Sequence, residues 1–503
     1  MSKIRSKRVR VPRIIGLCVC LLGPALVFSN PDLTGEGQYP TADETEGAAS
    51  LTGEVLTVEA AVAYARHRNP AIGAARSRVQ AAQKVPVQAS AYEDPMVTWE
   101  AWNSPGNFRI DEAENNIFRL SQKIPFPGKL RLKGEMASKD AEKTEAELKV
   151  EEIHTVAQVK KAYYALWLVY RNLEVYRRDQ ELVTQFARIA EQKYAVGQVS
   201  QPDVLRAQVE LTRMINRVST ETLALGKAQA RLNALFSRPL EAPLGAPQDP
   251  PAPAVPYSMT DLENLTLGIR PELLAQTRAL DKERLALALA RKAYYPDFEV
   301  SINRFVNFDE RDGFGISVST SIPLAFKYKY DAGVGEAAAN VQTGQDELWR
   351  LRDLALFEVK QALVEAQTAL EQRNLFLHTH IPQAEQALEA SRIGYQAGTL
   401  DFLSLIDSVR AIEQIHLEHL MAAANFERAW AGLERAVGQE LPRTVVPGAK
   451  PGSGASSAPG GRMPGTASVK KKTGQAYRGV RAWPAKRTTR ALGIFKEASD
   501  AKP

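Results

Sequence analysis

Hydrophobic positions along this chain keep two rhythms. Val156, Val159, Tyr163, Leu166, Tyr170 and Leu173 recur in steps of three and four, as do Leu356, Val359, Leu363, Ala366 and Leu370. That spacing draws one apolar stripe along a helix and matches a coiled-coil seam. It predicts long helices over 129–195 and 335–396. The first would reach about 100 Å at 1.5 Å per residue. Shorter helices are expected at 57–67, 69–93, 201–236, 260–267, 271–293 and 400–437. Stacked end to end, 69–93 and 201–236 nearly match the long helix in length. Pro382 is expected to kink the second long helix, because it removes a backbone donor; the equivalent place in the first is Glu181.

The second rhythm has a period of two. Phe298, Val300 and Ile302 alternate with Glu299, Ser301 and Asn303, and Phe314, Ile316 and Val318 with Gly315, Ser317 and Ser319. A weaker alternation sets Val97, Trp99 and Ala101 against Met96, Thr98 and Glu100. Strands follow at 95–102, 116–123, 297–305 and 314–322, each with one side suited to hydrocarbon and one to water. Of 37 aromatic residues, 15 lie within 92–126 and 294–330, as aromatic girdles at membrane interfaces would require. A small soluble sheet with one buried face gives the same alternation.

The two sets of elements are copies. At a shift of 201, Pro70 falls on Pro271, Pro95 on Pro296, Gly134-Glu135 on Gly335-Glu336, Tyr194 on Tyr395 and Gly197 on Gly398. Ile124-Pro125 and Ile322-Pro323 match at a shift of 198, so one loop is three residues shorter in the second copy. The reading divides the chain into a secretory signal (1–29), a mobile segment (30–53), a first repeat (54–240), a Pro-rich linker (241–259), a second repeat (260–441) and a disordered basic tail (442–503).

Charge and cysteines sharpen this. Lys3, Arg5, Lys7, Arg8, Arg10 and Arg13 precede an apolar run from Ile14 to Phe28, too short to span a bilayer, which reads as an export signal cleaved after Ser29. A retained membrane anchor is the alternative. Cys18 and Cys20, the chain's two cysteines, lie inside that signal, and the bulky Leu17 and Val19 before them argue against lipid attachment. The mature chain is thus expected to lack disulfides and thiolate metal sites. The net charge of +6 hides a signal of +6 and a tail of +9 from Arg462, leaving residues 30–461 at −9. An acidic body argues against a nucleic-acid partner.

No later stretch offers the 18 consecutive apolar residues of a helical span, so a membrane crossing would use strands. Four strands cannot close a barrel, and lipid tolerates no open sheet edges. Copies of the chain must then join, which would set the long helices in a ring.

At this point the residues resemble the TolC-type outer-membrane efflux channels, over roughly 54–441. The resemblance rests on Leu56-Thr57-Val58-Glu59-Ala60-Ala61, the Asn69-Pro70 and Arg270-Pro271 helix starts, and Gln122-Lys123-Ile124-Pro125-Phe126-Pro127-Gly128-Lys129. Its most specific part is the pair of turns at Tyr194-x-x-Gly197-x-x-Ser200-x-x-Asp203 and Tyr395-x-x-Gly398-x-x-Asp401. It implies a mainly α fold with a small β part. It also implies a homotrimer whose 12-stranded transmembrane β-barrel continues into a 12-helix coiled-coil tunnel. Outer-membrane lipid, a periplasmic adaptor and an inner-membrane pump of the resistance-nodulation-division type, or an ABC transporter, are its implied partners. The Phe-Pro-Gly-Lys stretch leans towards the heavy-metal branch.

In that family the turns close the periplasmic end of the tunnel. Motif position places Asp203, Arg206, Ser404 and Asp407 at or beside that aperture, with Tyr194, Gly197, Tyr395 and Gly398 shaping the turns. An acidic ring at a constriction selects cations. Solvated helix-start carboxylates are the plainer reading of Asp203 and Asp407. Relatives commonly place near position 400 an arginine paired to the acid at 203. Leu400 cannot make that pair, which leaves Asp203 to Arg206 or another residue.

His378 with His380, and His416 with Glu418 and His419, lack the spacing of a metal site and read as solvated or capping histidines. The chain shows no phosphate loop, nucleophile elbow or His-Glu-x-x-His, so neither catalysis nor a cofactor is expected. The sequence thus predicts a passive exit channel. The alternative is a soluble periplasmic coiled-coil adaptor or scaffold.

Overall fold

The computed structural model describes residues 51, 53, 55–102, 115–307, 311–324 and 326–443. The signal expected at 1–29, nearly all of the segment 30–53 and the chain beyond Arg443 lie outside the described residues.

In the first repeat a two-residue strand β1 (Val55–Leu56) precedes α1 (Val58–Arg68), α2 (Pro70–Ala82), α3 (Val85–Ser90), β2 (Met96–Trp102), β3 (Asn115–Ile124), α4 (Lys129–Ala195) and α5 (Gln201–Leu235). After β4 (Ala246–Pro247) the second repeat runs α6 (Met259–Ile269), α7 (Pro271–Arg291), β5 (Phe298–Asn307), β6 (Gly313–Thr320), α8 (Asp331–Leu375), α9 (Ile381–Gln396) and α10 (Phe402–Val437). Local chemistry sets the starts. Thr57, Asn69 and Ser258 cap α1, α2 and α6 through side-chain oxygens, and Pro70 and Pro271 open their helices where no donor is missed.

Two expected helices are interrupted, each at a proline. The helix expected over 69–93 splits at Gln83–Lys84, because Pro86 has no N–H for the carbonyl four residues back. The long helix expected over 335–396 is divided by a π-helical turn, Phe376–His380, ahead of Pro382. The wider turn absorbs the missing hydrogen bond, whereas α4 runs unbroken for 67 residues.

The four long strands form one antiparallel sheet in the order β2-β3-β5-β6, so the hairpins of the two repeats pair through β3 and β5. Below the sheet α4 is the spine. Next to the strands it lies between α2/α3 and α7, with α7 in turn against α8; further down it lies between α5 and α10, with α10 against α8 and α9. Each layer therefore ends on first-repeat elements (β2, α2/α3, α5) at one side and second-repeat elements (β6, α8, α9) at the other. No helix among the described residues is long and apolar enough to cross a membrane.

The largest core joins α1, α4, α5 and α10 around Tyr163, Trp167, Leu232 and Phe236. Full burial of each large apolar side chain there stabilises by about 1.5–3 kcal/mol. Tyr163 Oη donates to the Leu56 carbonyl at 2.8 Å and accepts from the Gln248 amide at 2.9 Å. Trp167 Nε1 and Arg171 Nε both donate to Asp249 Oδ1 at 2.9 Å. These bonds tie the inter-repeat linker to the spine. A second core joins α6, α8 and α10 around Phe426 and Trp430. There Arg443 grips the buried Glu427 with both guanidinium arms and lies over the rings of Phe426 and Trp430, while Pro442 accepts from Tyr257 Oη at 2.7 Å.

Candidate functional site

The sheet carries its apolar side outward. Val97, Leu120, Ile302 and Ile316 lie in one register row across all four strands, and each is exposed. Trp99, Phe118, Phe314 and Val318 extend that surface. The other side is polar and partly covered. Ser121, Ser301 and Ser317 form a row in which the Ser301 and Ser317 hydroxyls are 2.6 Å apart; Arg119 donates to Asn303 at 2.9 Å and lies 3.3 Å from Glu100. Ser121, Ser301 and Asn303 are buried. A water-soluble sheet packed on its own chain would reverse these two sides. Within the described sheet β2 and β6 are each paired on one side alone.

The stretch Ile124 to Lys129 joins the sheet to the spine. Phe126 stacks on Tyr295 at 4.5 Å, Lys129 Nζ reaches Asp297 Oδ1 at 2.8 Å, and the Phe126 amide donates to the same oxygen at 2.7 Å. Gly128, at φ +89°, makes the turn into α4. Its φ suits glycine, and a Cβ there would lie 3.1 Å from the Lys292 side chain.

At the far end both turns depend on glycine. Gly197 and Gly398 sit at φ +75°, and the following amides, Gln198 and Thr399, return to the Lys193 and Gly394 carbonyls at 2.8 and 2.9 Å. The two turn tyrosines are not equivalent. Tyr395 is buried under Lys193, whose Nζ is 4.3 Å from its ring centre and donates to its carbonyl at 2.9 Å; Tyr194 is exposed.

Each residue expected at the aperture is held chiefly by its own turn or helix. Asp203 closes a capping box with Ser200 and lies 3.5 Å from Arg206 on its own helix. Ser404 donates through its amide and hydroxyl to the cap residue Asp401, at 3.0 and 2.5 Å. Asp407 is exposed, 3.4 Å from Arg410. Leu400 is exposed and makes no charged contact, while its amide reaches the Gly394 carbonyl at 3.2 Å.

A set of ion pairs just above the turns was not anticipated from the sequence. Glu210 of α5 is buried and meets Arg410 of α10 at 2.5 Å, with Arg213 at 3.5 Å. Burial alone would raise its pKa, but the hydrogen bond and charge of Arg410, with Arg213 and Arg217 behind, overcome this and hold it below the ordinary glutamate value. One turn along, Arg217 pairs with the buried Glu413. On α4, Asp179 is buried, one carboxylate oxygen has no hydrogen-bond partner, and burial raises its pKa despite Arg178. Arg178 donates to His416 Nδ1 at 2.9 Å, and burial followed by the Arg178 charge pushes His416 down, towards neutral imidazole. Sequence did hold a signal: Glu210 lies between Ala207 and Met214, and Asp179 between Tyr176 and Val183, in steps of three and four. A carboxylate on an apolar stripe must find a partner or shift its pKa. Among the described residues no cluster of three His, Cys, Asp or Glu side chains could hold a metal ion.

These features define a class of protein: a sheet that turns hydrocarbon outward, joined to coiled-coil helices far longer than a globular core needs. A family model described as outer membrane efflux protein matches residues 62–237 and 262–439. The chain belongs to that outer membrane efflux protein family. It is 23% identical over 429 residues to the cobalt-zinc-cadmium resistance protein CzcC of Cupriavidus metallidurans, covering 84% of this chain and 98% of that one. It is also 24% identical over 319 residues to the fusaric acid resistance protein FusA of Burkholderia cepacia, covering 56% of this chain and 58% of that one. The fold matches the outer-membrane channel OprN (TM-score 0.64, 19% identity, 76% of this chain and 89% of that one) and the transmembrane channel CusC (0.64, 17%, 76% and 92%).

Proposed function

We propose that three copies close into a passive exit duct of a tripartite efflux system. Twelve strands, three times the four described, form a barrel in the outer membrane, and the helices continue as a periplasmic tunnel. The observation that carries this reading is the sheet, which exposes its apolar side and leaves β2 and β6 unpaired at its edges. Joining β6 of one copy to β2 of the next satisfies both edges, as lipid demands. A soluble adaptor would leave Val97, Phe314, Ile316 and Val318 in water. The tunnel tip, lined by Asp203, Arg206, Leu400, Ser404 and Asp407, meets a periplasmic adaptor coupled to an inner-membrane resistance-nodulation-division pump or an ABC transporter. Full-length likeness to CzcC favours divalent metal cations as cargo, and loss of the gene should then sensitise cells to cobalt, zinc and cadmium. The duct itself predicts an oligomer of three times the chain mass that detergent extracts and heat dissociates, with single-channel conductance in lipid. A stable, water-soluble single chain needing no detergent would end the reading.

A further inference from the structure

Midway along the spine one face of the helices is covered and the other is bare. Tyr163 of α4 bonds Leu56 and Gln248 beneath α1 and the linker, while Phe426, Trp430, Leu433 and Val437 of α10 pack under α6. Lys161 lies two residues before Tyr163, and Arg428 lies two residues from both Phe426 and Trp430. Two residues turn a helix by about 200° at 3.6 residues per turn, so both cations stand opposite the cover. Arg435, two residues from Leu433 and Val437, shares that face of α10. The helices meet there: a Cβ on Gly432, between the two arginines, would lie 4.0 Å from Lys161 Nζ. On α5, Lys227 and Arg231 occupy the places of Arg428 and Gly432 at the repeat shift of 201. The 3.1 Å bond from Asn172 of α4 to Glu221 of α5 sets these antiparallel helices in register, with Lys161 level with Leu232, next to Arg231.

The two faces treat charge differently. On the covered side cations have carboxylates: Arg443 holds Glu427, Arg270 meets Glu358 at 2.6 Å and Arg66 meets Glu440 at 2.7 Å. On the bare side Lys161, Lys227, Arg231, Arg428 and Arg435 make no ion pair among the described residues. Arg428 is half-buried with Asn425 at 3.4 Å, and burial lowers its pKa with no acid to offset it. A charge that the fold desolvates without pairing costs stability inside the chain. Val159-Lys160-Lys161-Ala162 recurs as Val359-Lys360-Gln361-Ala362 on α8, so Gln361 takes the place of Lys161; it donates to the exposed Glu365 at 2.9 Å, which adds an acid to this face.

We propose that this bare basic face is an anion-binding belt inside the conduit, which takes solutes carrying two or more carboxylate or phosphate groups. The inference deepens the duct reading and rests on it: α1, α6 and the linker would plug a bore, so the bare face is the one turned inward. Three copies bring these cations round one bore, where rings of lysine and arginine select anions and low-dielectric walls focus their field. Arg435 lies 28 residues along α10 from Asp407, about 40 Å at 1.5 Å per residue. Screening at physiological salt acts over about 8 Å, so the belt works independently of the carboxylates at the tip. A free divalent cation is repelled at this level, whereas a net-anionic chelate of it is drawn in.

The test uses the full-length protein in planar lipid bilayers, with inorganic tripolyphosphate or citrate added on the periplasmic side. Each should block the wild-type channel reversibly, and raising the KCl concentration should weaken the block. Lys161→Gln, Lys227→Gln and Arg231→Gln together should raise the half-blocking concentration about tenfold, with a heat-released trimer like that of wild type. Lys161→Gln alone, which copies Gln361, should act in the same direction, and Glu365→Gln should lower the half-blocking concentration. Block by one of the two anions alone supports the belt and tells phosphate from carboxylate. A conducting wild-type channel that neither anion blocks overturns the belt and leaves the duct standing, as do glutamine variants blocked as readily as wild type. A wild-type chain that neither trimerises nor conducts overturns the duct, and the belt with it.

Discussion

Asp179 is buried beside an arginine and is nevertheless held above the ordinary aspartate pKa, so desolvation exceeds the attraction of Arg178. Because the folded pKa is the higher one, the charged carboxylate weakens the fold at neutral pH. That penalty fades as pH falls through the folded pKa and is absent below the unfolded value, about 4. Asp179→Asn should therefore raise the melting temperature of detergent-solubilised protein at pH 7, with a gain that vanishes in acid. Glu210 has the opposite sign. Its folded pKa is lowered, so its contribution is present above the unfolded value and is lost as pH falls through the folded one. Arg410→Ala should cost roughly 1–2 kcal/mol near neutrality, allowing for solvent around the half-exposed arginine, and thermal melts should show the gap from wild type closing at low pH. Asp407 is exposed, so its removal is structurally mild. Asp407→Ala should weaken block by multivalent cations in single-channel recordings, and unchanged block would dismiss the acidic ring. Asp203 is a poorer probe, because its carboxylate also holds the start of α5.

Elements were legible where one rhythm dominated. The long stripes gave α4, α5 and α10 nearly to the residue, and the alternation gave all four long strands within two residues. Pro382 was legible as an interruption but not in form, since either a kink or a wider turn satisfies the missing donor, whereas the break ahead of Pro86 was not anticipated within the helix expected over 69–93. Glu210 and Glu413 were lost among many solvated glutamates, because their burial depends on a neighbouring helix from the other repeat. The end of the folded body also depends on such a partner. Arg443 lies two residues past the expected second repeat yet clasps Glu427, which has 1% exposure. Truncation after Arg443 should leave assembly and melting temperature unchanged. Truncation after Leu441 strands a buried carboxylate and should lower stability by about 3 kcal/mol, readable in the same melts.

At the scale of the whole molecule, tandem duplication leaves one chain with an internal seam between its repeats and two unlike borders. Within the chain, salt links join one repeat to the next; at the borders, α5 and α8 present exposed apolar residues and β2 and β6 each present one unpaired edge. The described chain leaves these borders uncovered, and in the proposed duct conduction is a property of the assembly rather than of the fold.

The unlike borders also carry a genetic consequence. In the proposed ring each subunit must offer a sound left hand to one neighbour and a sound right hand to the other. A copy spoiled on one flank can still capture a healthy partner through the other flank and hold it in an unfinished ring. Alleles damaged at a single border should thus act dominantly over the intact gene, whereas alleles that prevent folding altogether should be recessive.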